Sequence, residues 1–564
     1  MGSIPAASES THNGFRLACP ACGGSLDIGH AAARCTLCHK EYLCQDSIWR
    51  LLSSGRDEYY ESFLSQYRAI RRDQGWGRLS AEYYRSLPEV EPTDPQRAIW
   101  SMRKRHYRAF IERVLEPLER LRREPLTICD LGAGNGWLSH RLSQRGHCVA
   151  AVDINPDVHD GLGACAYYES RFPAIQAEYD RLPLEPAQAD LVVFGGSFHY
   201  SCDCQTSLEE AFRVLKADGQ LVILDSPFYH RPSSGERMVA ERRAGFVQRY
   251  GMASDSLPSE GFLTWRGMAD LSRHMGFSWT AIWPVQSWRR ACRRMFAGLR
   301  VRREAARFPV VVVKPYPVWE MSLPQRLLRR VWTPILRRNY RLAIQRPGQH
   351  PPVERVDGRP ILVFPGVFNP RLFGTGEYLA RQLDERLIPP GCSVLDMGTG
   401  TGIAAVFAAQ WARRVVAVDI LPEAVRCAQA NFRLNHVDGR AEARQGDLFS
   451  AIGEEHFDVV LFNPPFLRGT PKADWERAFY STNIAQRFAE GLPDHLNPGG
   501  RALLLLSSLG ESGAYLQALR WRGFRVQVLA EHDRITERLA LYQVNAGPEW
   551  NIAQSRAIRN GAAE

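Results

Sequence analysis

The chain has 564 residues, of which 45% are hydrophobic and 23% are charged, so it is long enough to form several domains with their own cores. Its 45 glycines and 35 prolines are too few for a collagen-like or low-complexity chain. Because no apolar run is long enough to cross a membrane and the polar N-terminus lacks a signal-peptide pattern, the sequence predicts a cytoplasmic protein without a transmembrane segment.

The net charge of +10 is concentrated in one segment. Between Arg289 and Arg346 there are 16 Lys and Arg but only two acids, and Trp288, Trp332 and Tyr340 are interleaved with or border them. Such a segment suits the phosphate backbone of RNA, an anionic membrane surface or an acidic small substrate. The alternative is a solvated pair of helices that packs on acidic domain surfaces. The basic charge therefore concerns a partner of this segment only.

The order of composition and periodicity along the chain predicts seven parts. They are a disordered tail (1–14), a cysteine module (15–52), a helical segment (53–124), a first α/β domain (125–318), a basic Arg-rich linker (319–355), a second α/β domain (356–546) and a loose tail (547–564).

The cysteine module predicts a structural zinc site. Cys19 and Cys22 form one Cys-x-x-Cys pair, and Cys35 and Cys38 form a second pair twelve residues after the first. Two such turns direct four thiolates at one tetrahedral ion and leave no open coordination position. A module this small has too little core to fold without metal. A redox role for either pair alone is the weaker alternative.

After a predicted helix at Trp100–Arg123, strands alternate with helices twice along the chain. The first series of predicted elements comprises strands at Leu126–Leu131, Val149–Ile154, Ala189–Phe194 and Gln220–Asp225, a helix at Thr264–Met275, and strands at Ser278–Trp283 and Val310–Lys314. The second series comprises strands at Ser393–Met397, Val415–Ile420, Asp458–Phe462 and Arg501–Leu506. This alternation predicts two α/β domains with mostly parallel sheets.

One internal repeat organises these two series. Asp130-Leu-Gly-Ala-Gly-Asn-Gly136 recurs 266 residues later as Asp396-Met-Gly-Thr-Gly-Thr-Gly402. Asp153-Ile-Asn-Pro recurs with the same offset as Asp419-Ile-Leu-Pro. A strand that ends in an acid, followed by glycines and a helix, lets the backbone turn tightly and approach a ligand closely. The chain therefore carries two copies of one nucleotide-binding unit.

The Gly-x-Gly-x-Gly spacing, with an acid two residues before it, resembles motif I of class I S-adenosylmethionine-dependent methyltransferases, and an NAD-type fold is the alternative. The resemblance implies two Rossmann-like domains with seven-stranded, mostly parallel sheets, preceded by a small zinc ribbon. It implies two S-adenosylmethionine sites, in which Asp153 and Asp419 bind ribose hydroxyls. The implied cofactor-binding residues are Asp130, Gly132, Gly134, Gly136, Asp153 and Glu178 in the first copy, and Asp396, Gly398, Thr399, Gly400, Gly402, Asp419 and Asp447 in the second.

The second copy also contains Asn463-Pro464-Pro465-Phe466 directly after an apolar strand. This motif resembles that of release-factor glutamine methyltransferases and small-subunit rRNA guanine methyltransferases, which act on planar nitrogen. In such a site the Asn463 side-chain oxygen and the Pro464 carbonyl accept both N–H groups of the acceptor, and Phe466 stacks on its plane. The two prolines hold the acceptor groups rigid.

The first copy resembles a broader group that includes quinone-biosynthesis and natural-product methyltransferases, through Phe194–Tyr200, Leu182–Leu184 and Arg213–Gly219. This group methylates carbon, oxygen, nitrogen and sulfur, so the acceptor atom stays open. His199 is a candidate base near the transfer point, and a packing histidine at a strand end is an equal alternative.

Together these patterns predict a bifunctional methyltransferase whose second domain acts on a planar amide or amine nitrogen. The expected setting is small-molecule biosynthesis, with a small or lipid-like acceptor. The first alternative is an rRNA or translation-factor glutamine methyltransferase, since the cysteine module resembles zinc ribbons found before rRNA guanine methyltransferase domains. In the second alternative, one domain is a non-catalytic binding module.

Overall fold

The computed structural model describes residues 14–77, 80–170, 172–251, 257–284, 303–315, 353–465, 467–468, 480–481, 483–508, 510, 512–534 and 537–546. Two compact units divide the chain, one of residues 1–273 and 277–315, the other of residues 274–276 and 316–564. Outside the described residues lie residues 1–13 of the predicted N-terminal tail, the whole C-terminal tail, most of the basic segment Arg289–Arg346 and the predicted stacking residue Phe466.

The first unit contains an eleven-stranded sheet in the order β1-β2-β3-β4-β7-β6-β5-β8-β9-β13-β12. Its strands are β1 (Leu26–Ile28), β2 (Ala32–Cys35), β3 (Glu41–Gln45), β4 (Ile48–Arg50), β5 (Thr127–Leu131), β6 (Cys148–Asp153), β7 (Ala174–Gln176), β8 (Ala189–Gly195), β9 (Leu215–Leu224), β12 (Ser278–Ile282) and β13 (Val310–Lys314), and β10 (Phe228–Tyr229) pairs separately with β11 (Leu263–Thr264). The strands from β7 to β9 in this order are parallel, and β13 and β12 close the sheet antiparallel. These seven strands confirm the predicted mostly parallel sheet.

The four remaining strands belong to the cysteine module, which continues the sheet. Ile48 of β4 pairs in parallel with Ala174 of β7. Without β4, β7 would be an edge strand with unpaired backbone groups. Ile48 and Trp49 are both buried, so the module is fixed to the sheet by side chains as well as by the backbone.

The helices of the first unit are α1 (Arg56–Asp73), α2 (Ala81–Ser86), α3 (Arg97–Phe110), α4 (Glu116–Arg122), α5 (Trp137–Gln144), α6 (Cys204–Val214), α7 (Pro232–Tyr250) and α8 (Trp265–Met275). The helix predicted at Trp100–Arg123 is present as α3, a π turn at Ile111–Leu115 and α4. Trp100 and Phe110 of α3 are fully buried and pack in one cluster with the strands of the sheet, so this helix covers one face of the sheet.

The second unit contains a seven-stranded sheet in the order β18-β17-β16-β19-β22-β24-β23. Its strands are β16 (Ser393–Met397), β17 (Arg414–Asp419), β18 (Ala441–Gln445), β19 (Phe457–Phe462), β22 (Leu496–Ser507), β23 (Phe524–Asp533) and β24 (Arg538–Ala546). Two further pairs of strands form separate sheets: β14 (Val353–Val356) with β15 (Arg359–Leu362), and β20 (Leu467–Arg468) with β21 (Tyr480–Ser481). The helices are α9 (Pro370–Phe373), α10 (Thr375–Gln382), α11 (Ile403–Ala408), α12 (Pro422–Leu434), α13 (Ile484–Gly491) and α14 (Ser512–Trp521).

The central strands of this sheet are buried on both faces. Along β16, Val394 belongs to one core cluster and Leu395 to another, because successive side chains point to opposite faces. Helices cover both faces, as a parallel sheet requires. The first five strands in the sheet order are parallel and the last two are antiparallel to their neighbours. The carboxyl ends of β16, β17 and β19 therefore meet at one edge, where ligands bind in such sheets.

None of the helices within the described residues is both long enough and apolar enough to cross a bilayer.

Candidate functional site

The glycine loop of the second unit follows β16 and turns into α11. Gly398, Gly400 and Gly402 have φ values of 65°, 55° and 79°, a region that side chains with a Cβ rarely adopt. Thr399 N donates to Val418 O (3.0 Å), and this bond holds the loop against β17. A Cβ on Gly400 would meet only the Cβ of Phe368, at 4.0 Å, so the loop backbone is open to a ligand there.

Two acids organise this loop. Asp419 Oδ2 accepts from Gly400 N (2.9 Å) and its Oδ1 from Leu421 N (3.0 Å). Asp396 Oδ2 accepts from Thr399 Oγ1 (2.6 Å) and from Ala405 N (3.2 Å). Burial raises the pKa of Asp396 to about 7 and also raises the pKa of Asp419 above its usual range. Asp419 thus binds the loop at Gly400, while Asp396 fastens the loop to the start of α11.

The first unit repeats these bonds 266 residues earlier. Asp153 Oδ2 accepts from Gly134 N (2.8 Å) and its Oδ1 from Asn155 N (2.8 Å). Asp130 accepts from Ser139 Oγ (2.7 Å), and its buried Oδ1 has no hydrogen-bond partner among the described residues. Burial raises the pKa of Asp130 to about 7 and that of Asp153 to about 6. The sequence repeat is therefore also a repeat of the loop's hydrogen bonds.

A cavity of about 280 Å³ lies at the carboxyl edge of the second unit's sheet. The predicted residues that it brings together are Asp396, Gly398, Thr399, Gly400, Asp419, Asp447, Asn463, Pro464 and Pro465. Arg487 of α13 also lines the cavity, and its guanidinium pairs with Asp447 Oδ2 at 2.8 Å. Sequence reasoning missed Arg487, because nothing in the local pattern links it to an acid forty residues away.

Asn463 is held with its oxygen free. Its Nδ2 donates to Thr375 Oγ1 (3.3 Å) at the first residue of α10. Its buried Oδ1 has no hydrogen-bond partner among the described residues. An unpaired buried oxygen is costly, and Asn463 lines the cavity, so this oxygen is suited to accept an N–H from a ligand. Thr375 was not predicted, since its role appears only when α10 packs against the end of β19.

Glu178 of the first unit is held by α1. Its Oε1 accepts from Arg56 Nε (2.8 Å) and from Tyr60 OH (2.6 Å), and the residue is buried. His199 is also buried, and its Nδ1 lies 3.2 Å from Ser226 Oγ. Burial lowers the pKa of His199 to about 3, which keeps the imidazole neutral.

The four cysteines of the module converge on one point. Their sulfur atoms lie within 4.8 Å of one another. Leu37 N and Cys38 N each lie 3.4 Å from Cys35 Sγ as donors, as in a turn that presents a thiolate to a metal. Burial, followed by the neighbouring thiols, raises the pKa of Cys22 to about 12, so ionising this cluster needs a cation among the sulfurs. An all-thiolate tetrahedral donor set fits zinc.

Two family models match the chain. Residues 359–531 match the methyltransferase small domain, and residues 129–223 match a methyltransferase domain. These matches fall on the two glycine loops and the sheets that carry them.

Curated relatives match parts of the chain. It is 35% identical over 149 residues to a putative protein N5-glutamine methyltransferase of Methanocaldococcus jannaschii, covering 24% of this chain and 73% of the relative. It is 34% identical over 137 residues to a release factor glutamine methyltransferase of Cereibacter sphaeroides, a match that covers 22% of this chain and 49% of the relative. It is 33% identical over 173 residues to a ribosomal RNA small subunit methyltransferase C of Alcanivorax borkumensis, with 30% of this chain and 49% of the relative covered. The chain thus spans about three quarters of the first relative and about half the length of the other two.

Among solved structures, a T. thermophilus 16S rRNA N2 methyltransferase in complex with AdoMet and guanosine matches 75% of this chain and 88% of its own, with 18% identity and a TM-score of 0.28.

Proposed function

The chain belongs to the S-adenosylmethionine-dependent methyltransferases, with a small methyltransferase domain at residues 359–531, and we propose that its second unit methylates the side-chain amide nitrogen of a glutamine in a protein of the translation apparatus. The first unit, in this proposal, forms a separate cofactor site.

The second unit's residues fit the cofactor. Asp419 offers carboxylate oxygens to ribose hydroxyls, and Gly398 and Gly400 let the backbone approach. Asp447, which also lines the cavity, is the acid that the resemblance assigns to the adenine amino group. A ligand could occupy the open space next to Gly400, which a side chain at this position would fill. When bound, S-adenosylmethionine supplies an electrophilic methyl group on a sulfonium. The same donor set, with Asp153 and Gly134, supports a first-unit site.

The orphaned Asn463 Oδ1 carries the proposal. An amide nitrogen is a poor nucleophile because its lone pair is conjugated with the carbonyl. A hydrogen bond from its N–H to Asn463 Oδ1 positions the nitrogen and stabilises the positive charge that grows on it during transfer. A hydrogen bond to Thr375 Oγ1 holds the Asn463 carboxamide in place before the acceptor arrives. The buried Pro464 adds a backbone carbonyl next to it.

The relatives favour a glutamine acceptor. Two of the three relatives described above are named for glutamine methylation, one of an unspecified protein and one of release factors, and the first of these has 73% of its length covered. The expected setting in small-molecule biosynthesis has no support from these relatives, so the translation alternative is preferred. The basic segment Arg289–Arg346, as a contact for RNA or a membrane, stays a prediction.

Radiolabelled S-adenosylmethionine tests this acceptor. The full chain is incubated with release factors, ribosomal proteins and rRNA from the organism that encodes it, and the labelled products are mapped by mass spectrometry. We expect a single methyl group on a glutamine side-chain nitrogen. Asp419→Ala should abolish this label, and Asp153→Ala, its matched control in the first unit, should retain it. Label on an rRNA guanine, or on small molecules alone, would overturn the glutamine assignment.

A further inference from the structure

A buried histidine and aspartate meet at the carboxyl edge of the first unit's sheet. His106 of α3 hydrogen-bonds through Nδ1 to Asp225 Oδ1, and the side chains are 5% and 7% exposed. Asp225 follows β9 directly and has a φ of 53°, a conformation that costs a non-glycine residue about 1 kcal/mol or more. Strained residues of this kind persist where the surrounding structure holds a side chain in a required position.

The pair lies beside the place that Asn463 occupies in the second unit. Leu131 pairs with Phe194 in the first sheet, as Met397 pairs with Phe462 in the second, so Gly195 stands at the position of Asn463. Glycine offers no side-chain oxygen to an N–H. The first unit therefore lacks the amide-activating group and needs a different one.

The neighbouring loop brings the pair close to the cofactor loop. Gly196 N donates to Leu224 O (3.0 Å), and a Cβ on Gly196 would lie 3.5 Å from the Asp225 Cβ. The next residue, Ser197, donates from Oγ to Leu131 O (2.5 Å) and packs on Gly132 of the glycine loop. The loop that contains Gly196 and Ser197 therefore lies next to both Asp225 and the glycine loop.

The charges around the pair leave one imidazole nitrogen available. Asp225 accepts the Nδ1 proton of His106, and Arg103, one turn earlier on α3, places its Nε 3.9 Å from Asp225 Oδ2. With the proton on Nδ1, the lone pair of the imidazole lies on Nε2, for which the described residues offer no hydrogen-bond partner. His199, the base candidate from the sequence, has its Nδ1 beside Ser226 and a pKa lowered to about 3 by burial, which makes it a weak proton acceptor.

We propose that His106, oriented by Asp225, is the general base of a second methylation centre that takes a hydroxyl-bearing acceptor. The acceptor oxygen forms a bond to the methyl group of S-adenosylmethionine as the carbon–sulfur bond breaks and leaves a neutral thioether. The hydroxyl proton passes to His106 Nε2, and Asp225 stabilises the imidazolium that results. A hydroxyl suits this arrangement because it has one proton to lose and the pair offers one lone pair. This activity goes beyond the glutamine methylation proposed for the second unit.

Diethyl pyrocarbonate, which acylates unprotonated and accessible imidazole nitrogens, probes the base without knowledge of the acceptor. Modification of the full chain at neutral pH is followed by peptide mapping, with the exposed His436 as internal control. We expect His106 to react at Nε2, and to react faster than His199. Asp225→Asn should slow the reaction of His106 about tenfold or more, since a carboxamide can donate to Nδ1 and move the proton to Nε2.

A purely structural pair would give the opposite result. If His436 reacts in the native protein while His106 does not, or if Asp225→Asn leaves the rate at His106 unchanged, the base assignment is wrong. Should the variant fail to fold, the wild-type comparison of His106 with His199 and His436 still decides. Apart from the control residue His436, the readout involves neither the second unit's cavity nor its acceptor, so its failure leaves the glutamine proposal standing.

Discussion

Gly402→Ala should mainly lower stability, whereas Gly400→Ala should mainly weaken cofactor binding. Both positions have positive φ, where a Cβ costs about 1–2 kcal/mol. At Gly402 the added Cβ would also lie 2.9 Å from the Ala428 Cβ and 2.9 Å from the Phe432 ring, an overpacking that costs about 1–3 kcal/mol more. Gly402→Ala should therefore lower the free energy of unfolding by about 2–5 kcal/mol, and Gly400→Ala by about 1–2 kcal/mol.

Denaturant unfolding and calorimetry separate these effects. Gly391→Ala is the matched control, because Gly391 has a φ of 80° and a Cβ there would meet nothing within 4 Å. Gly400→Ala should unfold like this control but bind S-adenosylmethionine at the second site at least about tenfold more weakly, a loss of about 1.4 kcal/mol, since its methyl group enters the cavity. Wild-type affinity in Gly400→Ala, or a Gly402→Ala as stable as Gly391→Ala, would refute this reasoning.

Metal analysis should find one zinc per chain, and Cys35→Ser should give aggregated or protease-sensitive protein. A wild-type protein that is well folded without metal would contradict the zinc-ribbon assignment. Calorimetry should find two S-adenosylmethionine sites per chain, and Asp153→Ala and Asp419→Ala should each remove one of them. The reason is that each charge-assisted hydrogen bond to the ribose contributes about 1.5–3 kcal/mol. A double variant that still binds two molecules would contradict the ribose assignment. Because burial raises the pKa of Asp153 to about 6, the ligand-free first unit should gain stability as the pH falls from about 7 towards 4, whereas its cofactor affinity should weaken about tenfold between pH 7 and pH 5 as the carboxylate protonates. Asp153→Asn should remove the pH dependence of the affinity but only reduce that of the stability, because burial also raises the pKa of Asp130 to about 7. A wild-type affinity that is flat with pH would contradict the assigned pKa.

The repeated loops were predictable residue by residue because their signals are local. Glycine at alternate positions, an acid at each strand end and a constant offset of 266 residues specify the turn, the carboxylate and its backbone donors together. The structure forms matching bonds at Gly134 and Gly400. Most strand positions also followed from apolar runs, with boundaries that differ by a few residues.

Contacts between segments distant in the sequence were not predictable in this way. The pairing of β4 with β7 joins Ile48 to Ala174, and neither segment carries a sign of the other. Glu178 is bound by Arg56 and Tyr60 of α1, a helix that the sequence placed only within a helical segment. His106 and Asp225 are separated by 119 residues and meet only because α3 packs on the sheet. Such pairs depend on tertiary packing, which the periodicity of helices and strands does not predict.

Turnover of Asn463→Ala is the measurement that tests the central claim most directly. The rate of methyl transfer to the labelled glutamine acceptor is compared with S-adenosylmethionine affinity at the second site, and Thr375→Val serves as a companion that loosens the carboxamide without removing it. Because Asn463 Oδ1 acts on the acceptor as its nitrogen becomes positive, Asn463→Ala should lower turnover by about 10²–10³-fold. Cofactor affinity should stay within about twofold, since Asp419 and the glycine loop are untouched. An Asn463→Ala enzyme with full turnover, or one that loses cofactor binding instead of rate, would contradict the account.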